Sequence, residues 1–302
     1  MISLGIRIFL LLLISNSASA QIFVARNFFP VPLDDTTSER TFLPNIIFSA
    51  EGMRGYGSAL DEQAWNAKYF GLVELYRFSD KATLAGTLSH ELTANPHNEI
   101  SFHMRGAIWN ESIAFFRKTN VGVLEFGVTH HCRHEIDNTV PSDESVPDEE
   151  YSPTRRLLVM TALYSAFSTP NYTISERMQY RLYGRLNAYT YRVDGRRPEQ
   201  FENDQSWQDL RASLLIGGRL TAEVSKVVNT YVRAWVNPIF FDDGDTWKMN
   251  YRVETGVGFN GKKAVLEAFA AYEQYFDDAS RPYPLQSNVF FVGVRGRSHL
   301  IF

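Results

Sequence analysis

The chain carries one cysteine, Cys132, in 302 residues. It can form no internal disulfide, and a structural zinc site would have a single thiolate to use. An excess of basic charge is also missing: 30 Lys and Arg face 34 Asp and Glu, a formal charge of -4, which gives a phosphate backbone no counter-charge. Disulfide-framework proteins and nucleic-acid binders are thereby excluded, and no nucleic acid is expected as a partner. Long hydrophobic runs are absent as well. The apolar stretch Ile8–Ile14 falls far short of the ~20 residues that a spanning helix needs. What the chain does have is dispersed apolar content, 44% hydrophobic with 22 Phe and 15 Tyr set among polar residues. That is too apolar for intrinsic disorder and suits strands that meet a membrane interface.

The first twenty residues have the form of an export address. Arg7 supplies a positive start, Ile8–Ile14 an apolar centre, and Ala18-Ser19-Ala20 before Gln21 a small-x-small cleavage site. The expected organisation is a signal peptide over 1–20, an N-terminal periplasmic segment over 21–42 and a β-barrel over 43–302.

From residue 43 onward, apolar and polar residues alternate, the period of a strand with two unlike faces. Between Arg177 and Ala188, one face reads Met178, Tyr180, Leu182, Gly184, Leu186, Ala188 and the other Arg177, Gln179, Arg181, Tyr183, Arg185, Asn187. A helix would scatter these arginines, whereas a strand sets them in a row. Further on, Arg211, Arg219, Arg233, Arg252, Glu254, Arg295 and Arg297 fall opposite apolar sets, and in 67–75 Lys68, Phe70, Leu72, Glu74 and Tyr76 share the side away from Tyr69 and Val73. The pattern predicts an all-β fold, a transmembrane antiparallel barrel of about twelve strands, with Arg177, Arg181, Arg185, Arg211, Arg233, Arg252 and Glu254 facing the lumen and Leu182 and Leu186 facing lipid. Short connections, among them Thr169-Pro170-Asn171, alternate with longer polar ones. A soluble exported barrel or sandwich would alternate too, but its strands would be shorter.

The signal sequence, the alternation and the aromatic end at Phe302 resemble an outer-membrane barrel of a Gram-negative-type bacterium. That resemblance implies outer-membrane lipids as surroundings and recognition of the C-terminal strand by the barrel-insertion machinery. About twelve strands lie nearer the filled barrels of about eight than the water-filled porins of about sixteen. If acids oppose bases, charge-paired ladders close the lumen. If one wall is rich in arginine, a small pore would prefer anions.

One stretch is chemically dense: His130, His131, Cys132, Arg133, His134 and Glu135 follow one another. Positions 130, 134 and 137 match a HxSSHLGD-type motif of uncharacterised outer-membrane barrels, with Cys132 and Arg133 standing where serines would be. His130-x-Cys132 also resembles the His-x-Ser pair of outer-membrane phospholipase A and the lipid A deacylases. That likeness implies His130 as base and Cys132 as nucleophile of a lipid acyl hydrolase, since a thiol beside an imidazole ionises readily. The orienting group would lie on the next strand. Glu144, twelve positions on, sits in a loop. Calcium or zinc within 130–150 is a competing expectation, drawn from the histidines and the acidic loop, and an inert interfacial girdle of histidines is another. His90, His97, His103 and His299 read as isolated.

Overall fold

In the computed structural model the chain forms a closed antiparallel barrel of twelve strands. The structure describes residues 23–24, 29–30, 40–43, 45–56, 64–95, 103–135, 157–194, 207–242, 247–261, 264–275 and 287–301. The expected signal peptide, Phe302 and Glu144 lie outside them. The staves are β1 (Asn45–Tyr56), β2 (Trp65–Ser79), β3 (Ala82–Asn95), β4 (His103–Thr119), β5 (Gly122–Glu135), β6 (Leu157–Ser168), β7 (Met178–Asp194), β8 (Leu210–Glu223), β9 (Val228–Phe241), β10 (Trp247–Asn260), β11 (Ala264–Tyr275) and β12 (Ser287–Ile301). Each pairs with its neighbours in sequence. β12 closes on β1, from Phe290 opposite Tyr56 to Ile301 opposite Asn45, so no edge strand remains. Short turns gather at one end, together with the start of β1 and the end of β12, and longer links lie at the other.

The turn expected at Thr169-Pro170-Asn171 is elsewhere. Pro170 has no N–H to give a ladder, so β6 breaks there and resumes as Tyr172–Ser175, paired with Met178–Tyr180 around a turn at Glu176 and Arg177. Thr169 bridges the gap: its N–H donates to the Leu182 carbonyl at 3.0 Å, and its Oγ1 accepts from the Leu182 N–H at 3.0 Å. Arg177 consequently sits exposed in a turn and not on the inner face of a strand.

Alternation sorts the remaining residues by chemistry, inverted relative to a water-soluble core. Midway along the staves, Leu88, Ile113, Leu163, Leu186, Ile216 and Val253 are 46–61% exposed on the outside, whereas Arg181, Arg233, Arg252, Glu254 and Arg295 are at most 5% exposed within. Outside, aromatic side chains gather toward both ends of this aliphatic band. Phe42, Tyr76, Phe78 and Phe115 form a chain of ring contacts near the short turns, while Tyr56–Phe290 and Tyr251–Tyr272 pair near the other end. An apolar band between aromatic girdles is the exterior that hydrocarbon and its two interfaces select.

Two of the register shifts between staves move charged residues. Between Glu74 and Tyr76, β2 carries an extra residue, so Tyr76 turns outward, contrary to the strict alternation expected, and Arg77 turns inward. Two residues three apart then share the inner face: Arg77 grips Glu74 through Nε–Oε1 at 2.7 Å and Nη2–Oε2 at 2.6 Å, both side chains fully buried. The second bulge lies between Leu210 and Ala212 and turns Arg211 out of the lumen, where it pairs with exposed Asp242. Arg211 is therefore not a lumenal residue.

Inside, rings separate the charges. Phe269 and Phe291 pack with Met53 and Tyr231, and the guanidinium carbons of Arg295 and Arg252 stand 4.7 and 5.7 Å from the Phe269 centroid. Gly293 makes room for the Phe269 ring, whose tip would lie 2.6 Å from any Cβ placed there.

The register makes a direct prediction. Leu186→Arg, at the middle of the outer band, costs ~2–4 kcal/mol in a folding assay in lipid vesicles, whereas Leu186→Phe costs under ~1 kcal/mol. Equal tolerance of the two substitutions would contradict the assigned faces.

Candidate functional site

Two arrangements in the described residues can carry chemistry, one in the lumen and one on the outer wall. The lumenal one is built by register. Glu267 on β11 is directly opposite Arg295 on β12, Arg295 opposite Glu51 on β1, Glu51 opposite Lys68 on β2, and Lys68 opposite Glu91 on β3. Over five neighbouring strands the inner charge thus alternates in sign. Arg295 is the hub: Nε donates to Glu51 at 2.5 Å, and Nη1 to Glu267 at 3.0 Å and to Glu254 at 3.1 Å. Glu254 also accepts from Arg233 Nη2 and Arg252 Nη2, both at 2.8 Å, and from the Tyr231 hydroxyl at 2.9 Å. Arg252 reaches Glu273 at 3.2 Å, and Lys68 meets Glu91 at 2.9 Å.

The other wall differs. Arg181 on β7 is opposite Arg219 on β8, which is opposite Arg233 on β9, so three like charges are neighbours. Like charges directly opposed are unfavourable. The strain is relieved by Arg219 reaching past two staves to Glu267 at 2.9 Å and by Arg233 pairing with Glu254, its directly opposite neighbour on β10. Arg185 on β7 lies with its guanidinium carbon 3.7 Å from the Tyr164 centroid, and the Tyr164 hydroxyl donates to Glu125 at 2.5 Å. Of the residues expected to face the lumen, Arg181, Arg185, Arg233, Arg252 and Glu254 are buried inside; Arg177 stands exposed in a turn at the lumen's rim, and Arg211 is exposed and turned outward.

The outer arrangement stands near the end of the barrel with the longer links, on β3 to β6. His130, Cys132 and His134 point outward, while His131 and Arg133 point in and are buried. Cys132 lies between two histidines on one face of β5, and its partner is the second: Cys132 Sγ is 2.9 Å from His134 Nε2. His130 is instead drawn sideways to its cross-strand neighbour on β6, with Nδ1 3.2 Å from Thr161 Oγ1. The expected His130–Cys132 pair is therefore not hydrogen-bonded, because residues i, i+2 and i+4 of a strand share one face and His130 is engaged elsewhere.

Sequence reasoning missed the residues around this cluster. Trp109, directly opposite Cys132, meets the His134 ring edge-on at 5.3 Å and stacks on His90 at 5.0 Å and 12°. His90 is consequently part of the cluster and not isolated. Glu111 is opposite His130. Among the described residues no group of three or more His, Cys, Asp and Glu is placed to hold a metal ion, and residues 136–150 lie outside them.

No protein-family model matches the sequence, nor does any curated protein. Solved structures of similar shape include outer membrane phospholipase A from Escherichia coli, in an active-site mutant (13% identity, covering 89% of this chain and 96% of that one, TM-score 0.49). LpxR from Salmonella typhimurium matches at 8% identity over 85% of this chain and all of that one, TM-score 0.45. The NanC porin matches at 9% over 82% and 98%, TM-score 0.44. At such identities these likenesses concern the barrel architecture and assign no activity to this chain.

The hub predicts unequal costs. Glu254→Gln leaves buried guanidinium groups without their shared carboxylate and lowers stability by ~3–5 kcal/mol, read from the urea midpoint of the vesicle-inserted barrel. Arg211→Ala, which removes only an exposed ion pair, changes it by under ~1 kcal/mol. Similar costs for the two would show that the lumenal network is not a unit.

Proposed function

We propose that this chain is an outer-membrane barrel whose lumen is closed by its own charge network, so that it works at its surfaces and not as a conduit. The observation carrying this reading is the buried charge network: the Arg295 hub ties the neighbouring staves β10, β11, β12 and β1 together along the inner wall, and Arg219 of β8 reaches Glu267 of β11 at hydrogen-bond distance. The outward apolar band and its aromatic girdles support placement in a bilayer, and the alternating β12 suits recognition by the barrel-insertion machinery. An ion crossing at this level would have to part buried, paired groups, a costly step in a low-dielectric interior. Purified barrel in planar bilayers at about 100 mV is expected to show no steady unitary conductance. A stable open level, sensitive to substitution of Arg233 or Arg252, would replace this reading with that of an anion-preferring pore.

A second reading rests on the Cys132–His134 contact, which faces outward where the acyl chains of bilayer lipids run. In it, His134 Nε2 takes the Cys132 proton, and the sulfur attacks an ester carbonyl. The C–O bond to the lipid alcohol then breaks as the imidazolium returns the proton to the leaving oxygen, and water later hydrolyses the thioester. The dyad is Cys132 and His134, with His130 and Thr161 beside it. In mixed micelles of phospholipid, with calcium and zinc supplied, Cys132→Ala and His134→Ala are expected to abolish fatty-acid release, and His130→Ala to retain more than either. Absence of release from the unaltered protein would sink the hydrolase reading and leave the closed barrel standing.

A further inference from the structure

We propose that the short-turn end of the lumen is a blind vestibule that binds a small soluble polyanion bearing phosphate-type groups. A cavity of about 290 Å³ opens there, and Arg177, Arg181, Arg219, Lys226 and Arg297 line it, with Glu223 as its one lining acid. Glu267 lies beneath, held by Arg219 and Arg297. Among the described residues, five cations and these two carboxylates surround a space that would hold about ten waters at ~30 Å³ each.

The vestibule follows from the register described above. The strands that set Arg181 opposite Arg219 form its wall, on the side of the lumen where the alternation of sign breaks down. Arg177 and Lys226 stand exposed in the turns at the rim, where a positive potential draws in anions from solution. Guanidinium groups present paired N–H donors that fit phosphate oxygens, and the polar side chains of Gln179, Thr221 and Asn260 complete the lining. The Glu267–Arg295–Glu254 network lies beyond Glu267, and the site is blind on the reading of a closed lumen proposed above. The site lies inside the sheet, which restricts it to ligands arriving from water at the end of the barrel axis and excludes a lipid held in the surrounding leaflet.

Pyrophosphate is the probe, titrated calorimetrically into the refolded full chain in non-ionic detergent. One saturable site is expected, weakened by added sodium chloride. The paired change Arg177→Ser with Lys226→Ser is expected to weaken binding about tenfold, roughly 1.4 kcal/mol. The control Lys81→Ser with Lys118→Ser removes the same charge from exposed turns elsewhere at that end and is expected to leave affinity within about twofold. All four positions are exposed, so folding is preserved, and heat-modifiable mobility checks it. Absence of saturable binding at millimolar pyrophosphate, or equal weakening in both pairs, would overturn the site. Steady conductance in the bilayer measurement would overturn the closed lumen while leaving this binding result intact, so the two readings fail separately.

Discussion

A closed sheet has a side-chain period of two and no edge, and every other property of this barrel descends from that constraint. Closure through β12 and β1 leaves neither the first nor the last stave with an open edge, as a hydrocarbon environment requires. The same period drives half of each strand into the lumen. With arginines and glutamates on that half, the register must bring opposite signs together, and from Glu267 through Arg295, Glu51 and Lys68 to Glu91 it does so strand by strand. Buried ion pairs are weak evidence of stability compared with an apolar core of the same volume, yet removing one partner is severe. The network therefore acts chiefly to hold a single register, because a one-residue slip would turn the inward guanidinium groups to the outer face.

The barrel is uneven around its circumference. Where signs alternate, β11 to β3, neighbouring staves are linked by ion pairs along the inner wall. Where arginine opposes arginine, β7 to β9, positive charge accumulates, and Arg219 meets Glu267 of β11 while Arg233 meets Glu254 of the adjacent β10. The outer Cys132–His134 pair lies on β5, whose inner face carries Glu125, bonded to Tyr164 of β6. The two faces of these staves thus have separate chemistries, as the alternation of side chains along a strand permits.

The architecture was legible because periodicity is a local property. Twelve alternating segments in the sequence correspond to twelve staves, and the inner positions of Arg181, Arg185, Arg233, Arg252 and Glu254 follow from parity alone. Parity fails where one residue is inserted, and a bulge leaves no local mark: nothing in the composition around Leu210 says that Arg211 will turn out, or around Glu74 that Tyr76 will. Pro170 was a readable signal that pointed to the wrong event, interrupting a stave instead of ending it. The outer cluster was half legible. His130, Cys132 and His134 are close in sequence, but Trp109, His90 and Thr161 join them only through pairing between strands, and the β5–β6 register spans a link longer than local rules can bridge. The choice of His134 over His130 as the partner of Cys132 is settled by Thr161, a residue 31 positions from His130.

A double-mutant cycle across the closing seam tests the account most directly, since Arg295 and Glu51 are opposite one another on the last and first staves. Stability of the vesicle-inserted barrel would be measured for Arg295→Met, Glu51→Gln, the two together and the unaltered chain. A network that holds the closed register predicts a favourable coupling of about 1–3 kcal/mol between the two positions. Additivity within ~0.3 kcal/mol would mean that the seam closes without them, and the charge ladder would then not be what sets the fold.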